Sequence, residues 1–301
     1  MRKTALIVNP CAGQKKAMSK LEQIARLFED AGDLVAIFAT RQPGDGARLA
    51  ERLSKQADRL VCIGGDGTFH EVAEGVLRAE RRPPIGYIPA GTTNDMSRSL
   101  GLSRDVIGAA KDIISGVPRP LDMGRFGDRS FTYVAAFGAF TRVSYRTPQT
   151  LKNLFGHAAY LFAGARSLAS LHGRSMKIAT PQRLYQGSYI YGSLSNANSL
   201  GGVLRFGEGM VDVGDGKMEL LLIRTPSNPA ELADCVRALA SRRFDSDLIT
   251  LDHVREAEVT ADPRMSWALD GEYAPGARRI ALKALPGALT VMVPSRSLSL
   301  S

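Results

Sequence analysis

The first 120 residues alternate between short apolar runs and segments whose apolar residues recur at helical spacing. Four of the runs predict short buried strands, at residues 4–8, 34–39, 60–63 and 85–88. The segments that follow the strands predict helices; in the first of them Leu21, Ile24 and Phe28 share one face. Strands separated by helices indicate a parallel sheet with helices on its faces.

The pattern changes near Pro118 and Pro120, after which short strand-like runs separated by Gly, Pro or Asp dominate. Such runs predict an antiparallel sandwich or barrel, with strands at 131–136, 188–194, 218–223, 247–251, 257–260, 267–269, 280–285 and 289–293. Two helices are predicted among them, over 149–171 and 229–240. We therefore expect an α/β domain over residues 1–122 and a β-rich domain over 123–301, with a cleft between them and the final residues free to pack back on the first domain.

Composition places the chain among globular proteins. Of its 301 residues 44% are hydrophobic and 23% are charged, which excludes fibrous and disordered classes. Three dispersed cysteines, Cys11, Cys62 and Cys235, are too few for a disulfide framework and predict free thiols in a reducing compartment. No stretch approaches the roughly 18 apolar residues of a membrane span, so a soluble, cytoplasmic protein is expected.

A net charge of +9 fits nucleic acid, an anionic membrane surface or a phosphorylated ligand. No run exceeds two adjacent basic residues, and no nucleic-acid-binding motif accompanies them, so we do not expect nucleic acid as a partner.

Three polar, glycine-containing turns end predicted strands, at residues 9–13, 64–68 and 91–95. Ligands of open parallel sheets bind at this edge, because the carboxyl ends of the strands meet there. Gly65 and Gly67 allow a close approach of backbone amides to a phosphate, and a helix N-terminus favours an anion. Asp66 and Asp95 carry carboxylates that suit Mg²⁺ or its waters. An ordinary tight turn and helix-capping aspartates are the plainer alternatives, and capping is compatible with function.

The motifs on these turns resemble those of the diacylglycerol kinase catalytic family and, within it, the soluble bacterial lipid kinases. They follow that family's order and spacing over essentially the whole chain: Asn9-Pro10-x-x-Gly13, Thr40 with Gly44-Asp45, Gly64-Gly65-Asp66-Gly67-Thr68, Pro89-x-Gly91-Thr92-Thr93-Asn94-Asp95 and Leu269-Asp270-Gly271-Glu272. The third motif is shared with NAD kinases and, more loosely, phosphofructokinases, whereas the last two make the resemblance specific to lipid kinases.

The resemblance implies an NAD-kinase-like parallel α/β domain, a C-terminal β-sandwich domain, and ATP bound between them with Mg²⁺. It implies that Glu272 is the general base and that Asp66 and Asp95 are catalytic carboxylates. The nucleotide-binding residues that it implies are Asn9, Pro10, Gly13, Thr40, Gly65, Asp66, Gly67, Thr68, Glu71 and Thr92. A second, distant Mg²⁺ site would use the Asp215 carboxylate and the carbonyls of Asp212 and Lys217; a β-turn built on Asp-Gly is the alternative there.

Two positions depart from the family pattern. The family usually has Asn where this chain has His70, and its usual proline-and-alanine stretch is missing from residues 201–207. We expect His70 to be a polar position near the start of a helix rather than a catalytic base. These departures concern substrate choice and nucleotide contacts more than the activity.

The predicted activity is ATP-dependent phosphorylation of a lipid hydroxyl, with diacylglycerol as the default acceptor and phosphatidic acid as its product. The alternatives are a phosphatidylglycerol or sphingoid-base kinase, an NAD-kinase-like enzyme, or a catalytically weak nucleotide- or lipid-binding regulator. An apolar stripe over residues 151–171 with Lys152 and Arg166 beside it predicts peripheral contact with an anionic membrane, at the inner face. Packing of this helix onto the β-rich domain is the alternative, and a homodimer is left open.

Overall fold

The computed structural model describes residues 1–138, 173–201, 204–207, 209–244 and 246–295. The predicted helix over 149–171 lies outside these described residues, as do Lys152 and Arg166.

The N-terminal part is a parallel sheet with helices on its faces, as predicted. Its strands are β1 (Arg2–Val8), β2 (Asp33–Ala39), β3 (Arg59–Gly64) and β4 (Ile85–Pro89). β1 pairs in parallel with β2 on one side and β3 on the other, and β3 pairs with β4. The chain passes from β1 to β2 on one side of β1 and then crosses to β3 on its other side. The carboxyl ends of β1 and β3 therefore flank the point where the strand order reverses.

Helices cover this sheet because their apolar positions recur on one face. They are the 3₁₀-helix Ala12–Lys15, α1 (Lys16–Ser19), α2 (Leu21–Asp30), α3 (Asp45–Ser54), α4 (Asp66–Arg78), α5 (Asp95–Ser99) and α6 (Val106–Ile114). Phe69, Val72 and Val76 of α4 are fully buried, as are Ile24 and Phe28 of α2. The predicted helical faces are thus the faces that pack on the strands.

The C-terminal part is built mainly of antiparallel strands. They are β5 (Val117–Phe126), β6 (Arg129–Phe131), β7 (Val134–Gly138), β8 (Arg174–Ala179), β9 (Leu184–Ser195), β10 (Ser199–Leu200), β11 (Leu204–Arg205), β12 (Met218–Arg224), β13 (Ile249–Val254), β14 (Glu256–Thr260), β15 (Trp267–Leu269), β16 (Glu272–Ala274) and β17 (Arg279–Val293), with α7 (Pro229–Ala240) between β12 and β13. Trp267 packs edge-on against Phe126 and Phe137, each with ring centroids 5.0 Å apart, at the centre of a second core. The predicted order, a parallel α/β part followed by an antiparallel β part, is confirmed.

Two long strands join the parts. β17 pairs with β14 at its start, reaches β4 through Val291 opposite Ile85, and lies antiparallel to β5 along its length. Residue 122, the predicted domain boundary, is inside β5. Pro118 and Pro120 marked this boundary in the sequence, yet they lie within strand β5. Among the described residues this end of β5 pairs only with β17, so its other edge needs no N–H donors and tolerates proline.

Several predicted strands are wrong in number or extent; β9, for example, begins at Leu184 rather than at residue 188. The single strand predicted over 131–136 is two strands, because the chain bends at Thr132 and Tyr133, whose backbone amides bond to a side chain instead of a neighbouring strand. The two strands predicted over 280–285 and 289–293 are one, β17, whose register against β5 shifts at that point. The strand predicted over 247–251 begins at Ile249 and continues to Val254.

Candidate active site

The carboxyl ends of the parallel strands open onto a cavity of about 510 Å³. Residues from both parts of the chain line it: Asn9, Cys11, Ala12, Thr40, Arg41, Gln42, Pro43, Gly65, Gly67, Thr68, Glu71, Gly91 and Glu272. Six of the ten residues predicted to bind the nucleotide are among them. The predicted general base, Glu272, comes from the C-terminal part and is exposed at the same cavity.

Glycines bring the strand-end loops into direct backbone contact. A Cβ atom on Gly91 would lie 2.7 Å from the Cα of Gly65, and one on Gly13, whose φ is +55°, would lie 1.8 Å from the carbonyl oxygen of Ala90. Gly67 differs, because a Cβ there would meet no heavy atom within 4 Å. Gly13, Gly65 and Gly91 thus hold the loops together, whereas Gly67, near the start of α4, leaves room for a ligand.

Asn9 ties the first loop to the start of α4. Its backbone N–H donates to the carbonyl of Ile63 (2.9 Å), and its side-chain amide donates to the Thr68 hydroxyl (3.1 Å). Its side-chain oxygen accepts from the N–H of Cys11 at 3.0 Å. Because Asn9 uses donors and an acceptor at once, it fixes the loop between β1 and α1 relative to the glycine-rich loop.

Glu71 orders the loop that follows β2. Its two carboxylate oxygens accept from the backbone N–H groups of Gly44 (2.8 Å) and Gly46 (2.9 Å) at the start of α3. Thr40 lies at the other end of that loop, where it is buried and its N–H donates to the carbonyl of Val8. Glu71 lines the cavity, and its two hydrogen bonds hold this loop in place.

Asp66 sits at the start of α4 and caps the start of α5. Its Oδ2 accepts from the N–H of Asp95 (3.0 Å), and its Oδ1 accepts from the N–H of Met96 (3.3 Å), with the Tyr87 hydroxyl also 3.3 Å away. Burial, with the charges of Asp95 and Asp270 nearby, outweighs these amides and raises the pKa of Asp66 to about 6.

Asp95 is buried between the two parts of the chain. Its Oδ1 accepts from the Ser199 hydroxyl of β10 (2.8 Å) and lies 3.5 Å from the guanidinium of Arg98. Neither Asp95 nor Asp66 is among the residues that line the cavity. The structure therefore places Glu272 at the cavity with the strand-end loops, whereas these two predicted catalytic carboxylates do not line it.

A two-residue turn carries Glu272. Asp270 and Gly271 both have positive φ, +50° and +87°, and they connect β15 to β16 with Leu269 opposite Glu272. This is the conformation that Asp-Gly favours in tight hairpins. The buried Asp270 carboxylate accepts from the Thr132 N–H (2.6 Å), the Thr132 hydroxyl (2.7 Å) and the N–H groups of Tyr133 and Val134 (both 3.0 Å).

His70 reaches this turn from α4. Its Nδ1 lies 2.9 Å from Asp270 Oδ2, and its Nε2 lies 3.9 Å from Glu74 Oε1. Burial by itself would raise the pKa of Asp270, but the His70 imidazole and the Thr132 donors lower it below its usual value. The Asp270 carboxylate is consequently an ion at neutral pH.

A second cavity, of about 860 Å³, adjoins the first through Cys11 and Gly91. The other residues lining it are Gly13, Ser19, Lys20, Pro89, Ala90, Thr92, Asn94, Arg104, Asp105 and Val106. The predicted nucleotide-binding residues Gly13 and Thr92 face this cavity, and Pro10 and Asp66 line neither of the two. The predicted set is therefore divided between two neighbouring spaces.

The predicted distant metal site lies in the loop before β12. Asp215 Oδ1 accepts from the N–H of Lys217 (2.9 Å), and Asp212 Oδ1 accepts from the Arg119 guanidinium (2.8 Å). Buried Asp122 holds the loop by accepting from the N–H of Gly216 at 2.6 Å. Burial, together with the charges of Asp122, Asp212 and Asp215, raises the pKa of Glu219 to about 9.

The oxygen atoms of Asp66 and those around Asp215 can be compared with the ligands that Mg²⁺ requires. Among the described residues no three His, Cys, Asp or Glu side chains converge with metal-ligand geometry. Asp66 Oδ2 accepts one hydrogen bond and can still accept a metal-bound water. Around Asp215, a divalent cation would offset the repulsion among neighbouring carboxyl groups, and Glu219 Oε2 is buried without a hydrogen-bond partner. Both places fit Mg²⁺ through oxygen ligands and water.

Several cavity residues were not predicted. Arg41 brings a cation to the cavity, and Cys11, Gln42 and Pro43 complete its wall. These residues lie in the same strand-end loops as the predicted ones, and this position in the sequence could have identified them. The contact between His70 and Asp270 joins residues 200 positions apart, and no local pattern could predict it.

Comparisons with known proteins identify the family of this chain. Residues 3–126 match the diacylglycerol kinase catalytic domain. The chain is 32% identical over 279 residues to a diacylglycerol kinase of Bacillus subtilis (strain 168), which covers 91% of this chain and 90% of the relative. It is also 32% identical over 281 residues to a diacylglycerol kinase of Staphylococcus aureus (strain MRSA252), covering 91% of this chain and 87% of the relative.

Solved structures share the fold. The crystal structure of a diacylglycerol kinase from Bacillus anthracis str. Sterne matches 98% of both chains with a TM-score of 0.76 and 22% identity. Another crystal structure from that organism has a TM-score of 0.81 and 24% identity over 98% of this chain and 96% of the other. In the part of the chain that the structure describes, no helix has the length and apolar character needed to cross a bilayer.

Proposed function

This chain belongs to the diacylglycerol kinase catalytic family and is a lipid kinase, and from this premise we propose that it transfers the γ-phosphoryl group of ATP to the hydroxyl of diacylglycerol, giving phosphatidic acid and ADP. The relatives that are 32% identical over nearly the whole chain are named for this acceptor.

One observation carries the proposal. Glu272 and the glycine-rich loop, which come from different parts of the chain, face a single cavity of about 510 Å³. Phosphoryl transfer requires bound phosphates and a group that takes the proton of the attacking hydroxyl, both at the same place. The cavity supplies the first with the loop around Gly65 and Gly67 and the second with the Glu272 carboxylate.

The residues divide the reaction between them. Amides near Gly65 and Gly67 and the N-terminus of α4 bind the phosphates, and the Arg41 side chain adds positive charge beside them. The Glu272 carboxylate takes the hydroxyl proton as the acceptor oxygen bonds to the γ-phosphorus and the bond to the bridging oxygen of ADP breaks. Bound Mg²⁺ would supply charge neutralisation at the phosphates, with Asp66 holding it through water. Asp95, fully buried, would fix the loop that Asp66 caps.

The acceptor is tested by incubating the chain with labelled ATP and a panel of lipids in mixed micelles. The panel contains diacylglycerol, phosphatidylglycerol and a sphingoid base, with NAD as a water-soluble acceptor. We expect label in phosphatidic acid and little in the other products. Preferential labelling of another lipid would change the assigned acceptor, labelling of NAD would favour the NAD-kinase-like alternative, and no transfer to any of them would favour a regulator.

We further propose that the chain meets its substrate at an anionic membrane surface. The net charge of +9 and the apolar stripe with adjacent Lys152 and Arg166 in the sequence support this. Sedimentation with vesicles tests it: bound protein should rise with the fraction of anionic lipid and fall with added salt. Binding that ignores salt, or that is unchanged in the double variant Lys152→Glu/Arg166→Glu, would contradict it.

A Mg²⁺ site at the Asp215 loop is a separate part of the proposal. Support comes from the four carboxyl groups of Asp122, Asp212, Asp215 and Glu219, whose mutual repulsion a cation would relieve. The carbonyls of Asp212 and Lys217 would complete the oxygen ligands. None of these four residues lines the cavity, and the site would act through stability.

A further inference from the structure

His70 occupies the position where α4 meets the turn that carries Glu272. Its side chain is 17% exposed, and its Nδ1 lies 2.9 Å from the Asp270 carboxylate, two residues before Glu272 in the chain. α4 also opens with the glycine-rich loop. One imidazole therefore connects the helix that begins at the phosphate-binding loop with the turn that holds the general base.

The turn transmits any displacement of Asp270 to Glu272. Asp270 and Gly271 are the whole connection between β15 and β16, and both have the positive φ of a tight hairpin. Leu269 pairs with Glu272 directly across it. Such a short turn has little freedom to absorb a shift, so fixing the Asp270 carboxylate fixes the backbone of Glu272.

We propose that His70 is a positioning residue, which acts in its cationic form and holds Glu272 over the phosphate-binding loop by fixing Asp270. The inference rests on the proposed role of Glu272 as the general base. A neutral Asn, which the family usually has here, could donate a hydrogen bond to Asp270 but could not form the ion pair.

The surroundings of His70 favour its cation. Burial opposes protonation, but Asp270, then Glu74 and Glu272, outweigh it and raise the pKa of His70 above its usual value. Asp270 and Glu272 face it from the turn and Glu74 from its own helix, where Arg78 occupies the other oxygen of Glu74 at 2.9 Å. The nearby group from β6 is the neutral hydroxyl of Ser130, bonded to Glu74.

The sign of the pH effect follows. His70 is protonated below its raised pKa, so the charged contact with Asp270 is complete below the ordinary histidine value of about 6.5 and is lost as pH rises through the raised pKa. Wild-type kcat should therefore decline on the alkaline side. In His70→Asn this alkaline decline should disappear, and the plateau should lie below the wild-type maximum.

The test is a double-mutant cycle with two pH profiles. His70→Ala should lower kcat for lipid phosphorylation about 10- to 100-fold, a size typical of a misplaced catalytic group, with the KM for ATP within about twofold of wild type. In a Glu272→Gln background the same substitution should have almost no further effect, because its target is gone. His253→Ala, a partly exposed histidine on β13, is the matched control and should leave kcat and its pH profile unchanged.

The possible results distinguish a failure of the positioning role of His70 from a failure of the base assignment of Glu272. An equal loss from His70→Ala in both backgrounds, or a His70→Asn profile that superimposes on the wild type, would overturn the positioning role and leave Glu272 as the base. Wild-type turnover in Glu272→Gln would instead overturn the base assignment and this inference with it. Thermal unfolding checks that each variant folds, and His70→Asn is the variant to compare if His70→Ala does not.

Discussion

Two carboxylates on opposite sides of the cleft, the half-buried Asp66 and the buried Asp270, accept the same kind of hydrogen bond, yet their pKa values shift in opposite directions. Asp66 of the N-terminal part accepts from the amides of Asp95 and Met96, and its pKa is raised to about 6. Asp270 of the C-terminal part accepts from three amides and a hydroxyl and contacts His70, and its pKa is lowered.

Burial alone therefore does not set the charge of an acidic group in this cleft. Two amides do not outweigh the cost of burying Asp66 beside other carboxylates, whereas four donors and an imidazole do outweigh it for Asp270. Asp270 is consequently a fixed anion that anchors the turn of Glu272. Asp66 can exchange a proton near neutral pH, where a bound Mg²⁺ would favour its charged form.

The largest effect on turnover is expected at Glu272, whose turn Asp270 anchors. Glu272→Gln removes the proton acceptor and leaves the Asp270 contacts intact, so kcat should fall by about 10²- to 10⁴-fold. Because Glu272 is exposed, the melting temperature and the affinity for ATP should change little. Turnover with saturating ATP and diacylglycerol, together with calorimetric ATP titration, measures both quantities.

A matched control is Glu258→Gln, which changes an equally exposed glutamate on β14 away from the cavity. It should keep wild-type turnover. A comparable loss in both variants would show that the decline in Glu272→Gln has a general cause, and near-normal turnover of folded Glu272→Gln would contradict the assignment.

The next effect belongs to Asp66. Its pKa rises from about 3.9 in the unfolded chain to about 6 in the fold, so between these values the folded state retains a proton that the unfolded state has lost. The free energy of unfolding should therefore fall as pH rises from about 4 to about 6, by about 2–3 kcal/mol in total. Asp66→Asn should flatten this part of the profile in urea unfolding. Asp128→Asn, in the exposed turn before β6, should not.

The profile also distinguishes the two carboxylates. Asp270 has a lowered pKa, so its contribution to stability is present above about pH 3.9 and is lost as pH falls through its folded value. Asp66→Asn should therefore leave the acid side of the curve as it is. An unchanged slope between pH 4 and 6 in Asp66→Asn would show that Asp66 is not the group that titrates.

A smaller effect is expected at the glycine-rich loop. Gly67→Val adds a side chain where a Cβ meets no atom within 4 Å, so the fold should tolerate it while ATP binding weakens about tenfold, or about 1.4 kcal/mol. Gly13→Ala is the contrast, because its Cβ would lie 1.8 Å from the carbonyl oxygen of Ala90 and should lower the melting temperature. Unchanged ATP affinity in a folded Gly67→Val protein would show that the phosphates do not bind at this loop.

An effect of similar size, on stability alone, is expected at the loop before β12. If Mg²⁺ binds the folded chain at Asp215, a concentration ten times its dissociation constant adds about 1.4 kcal/mol of stability, seen as a rise in melting temperature. Asp215→Ala should lose that rise, whereas Asp128→Ala should keep it. An identical Mg²⁺ response in Asp215→Ala would leave this loop as an ordinary turn.

Sequence patterns predicted the elements well where local chemistry determines them. The buried runs of β1, β3 and β4 are short-range signals, and the structure contains each of them. The bend at Thr132 and the strand character of Pro118 and Pro120 depend on partners far along the chain, Asp270 and β17, which no local window includes.

The site shows the same limit. Motif positions predicted that Gly65, Gly67 and Glu272 share a cavity, and they do. They did not predict that Asp66 caps α5, or that Glu71 holds Gly44 and Gly46. Residue type suggests what a carboxylate can bind, but its orientation is decided by which backbone amides packing brings within reach.

The most direct test of the account is a crystal structure with a non-hydrolysable ATP analogue and Mg²⁺. We expect the phosphates in the cavity of about 510 Å³, against Gly65 and Gly67, with the terminal phosphate on the side of Glu272. A nucleotide whose phosphates lie elsewhere, for example in the neighbouring cavity beside Lys20 and Arg104, would contradict the claim that these two parts of the chain form one active site.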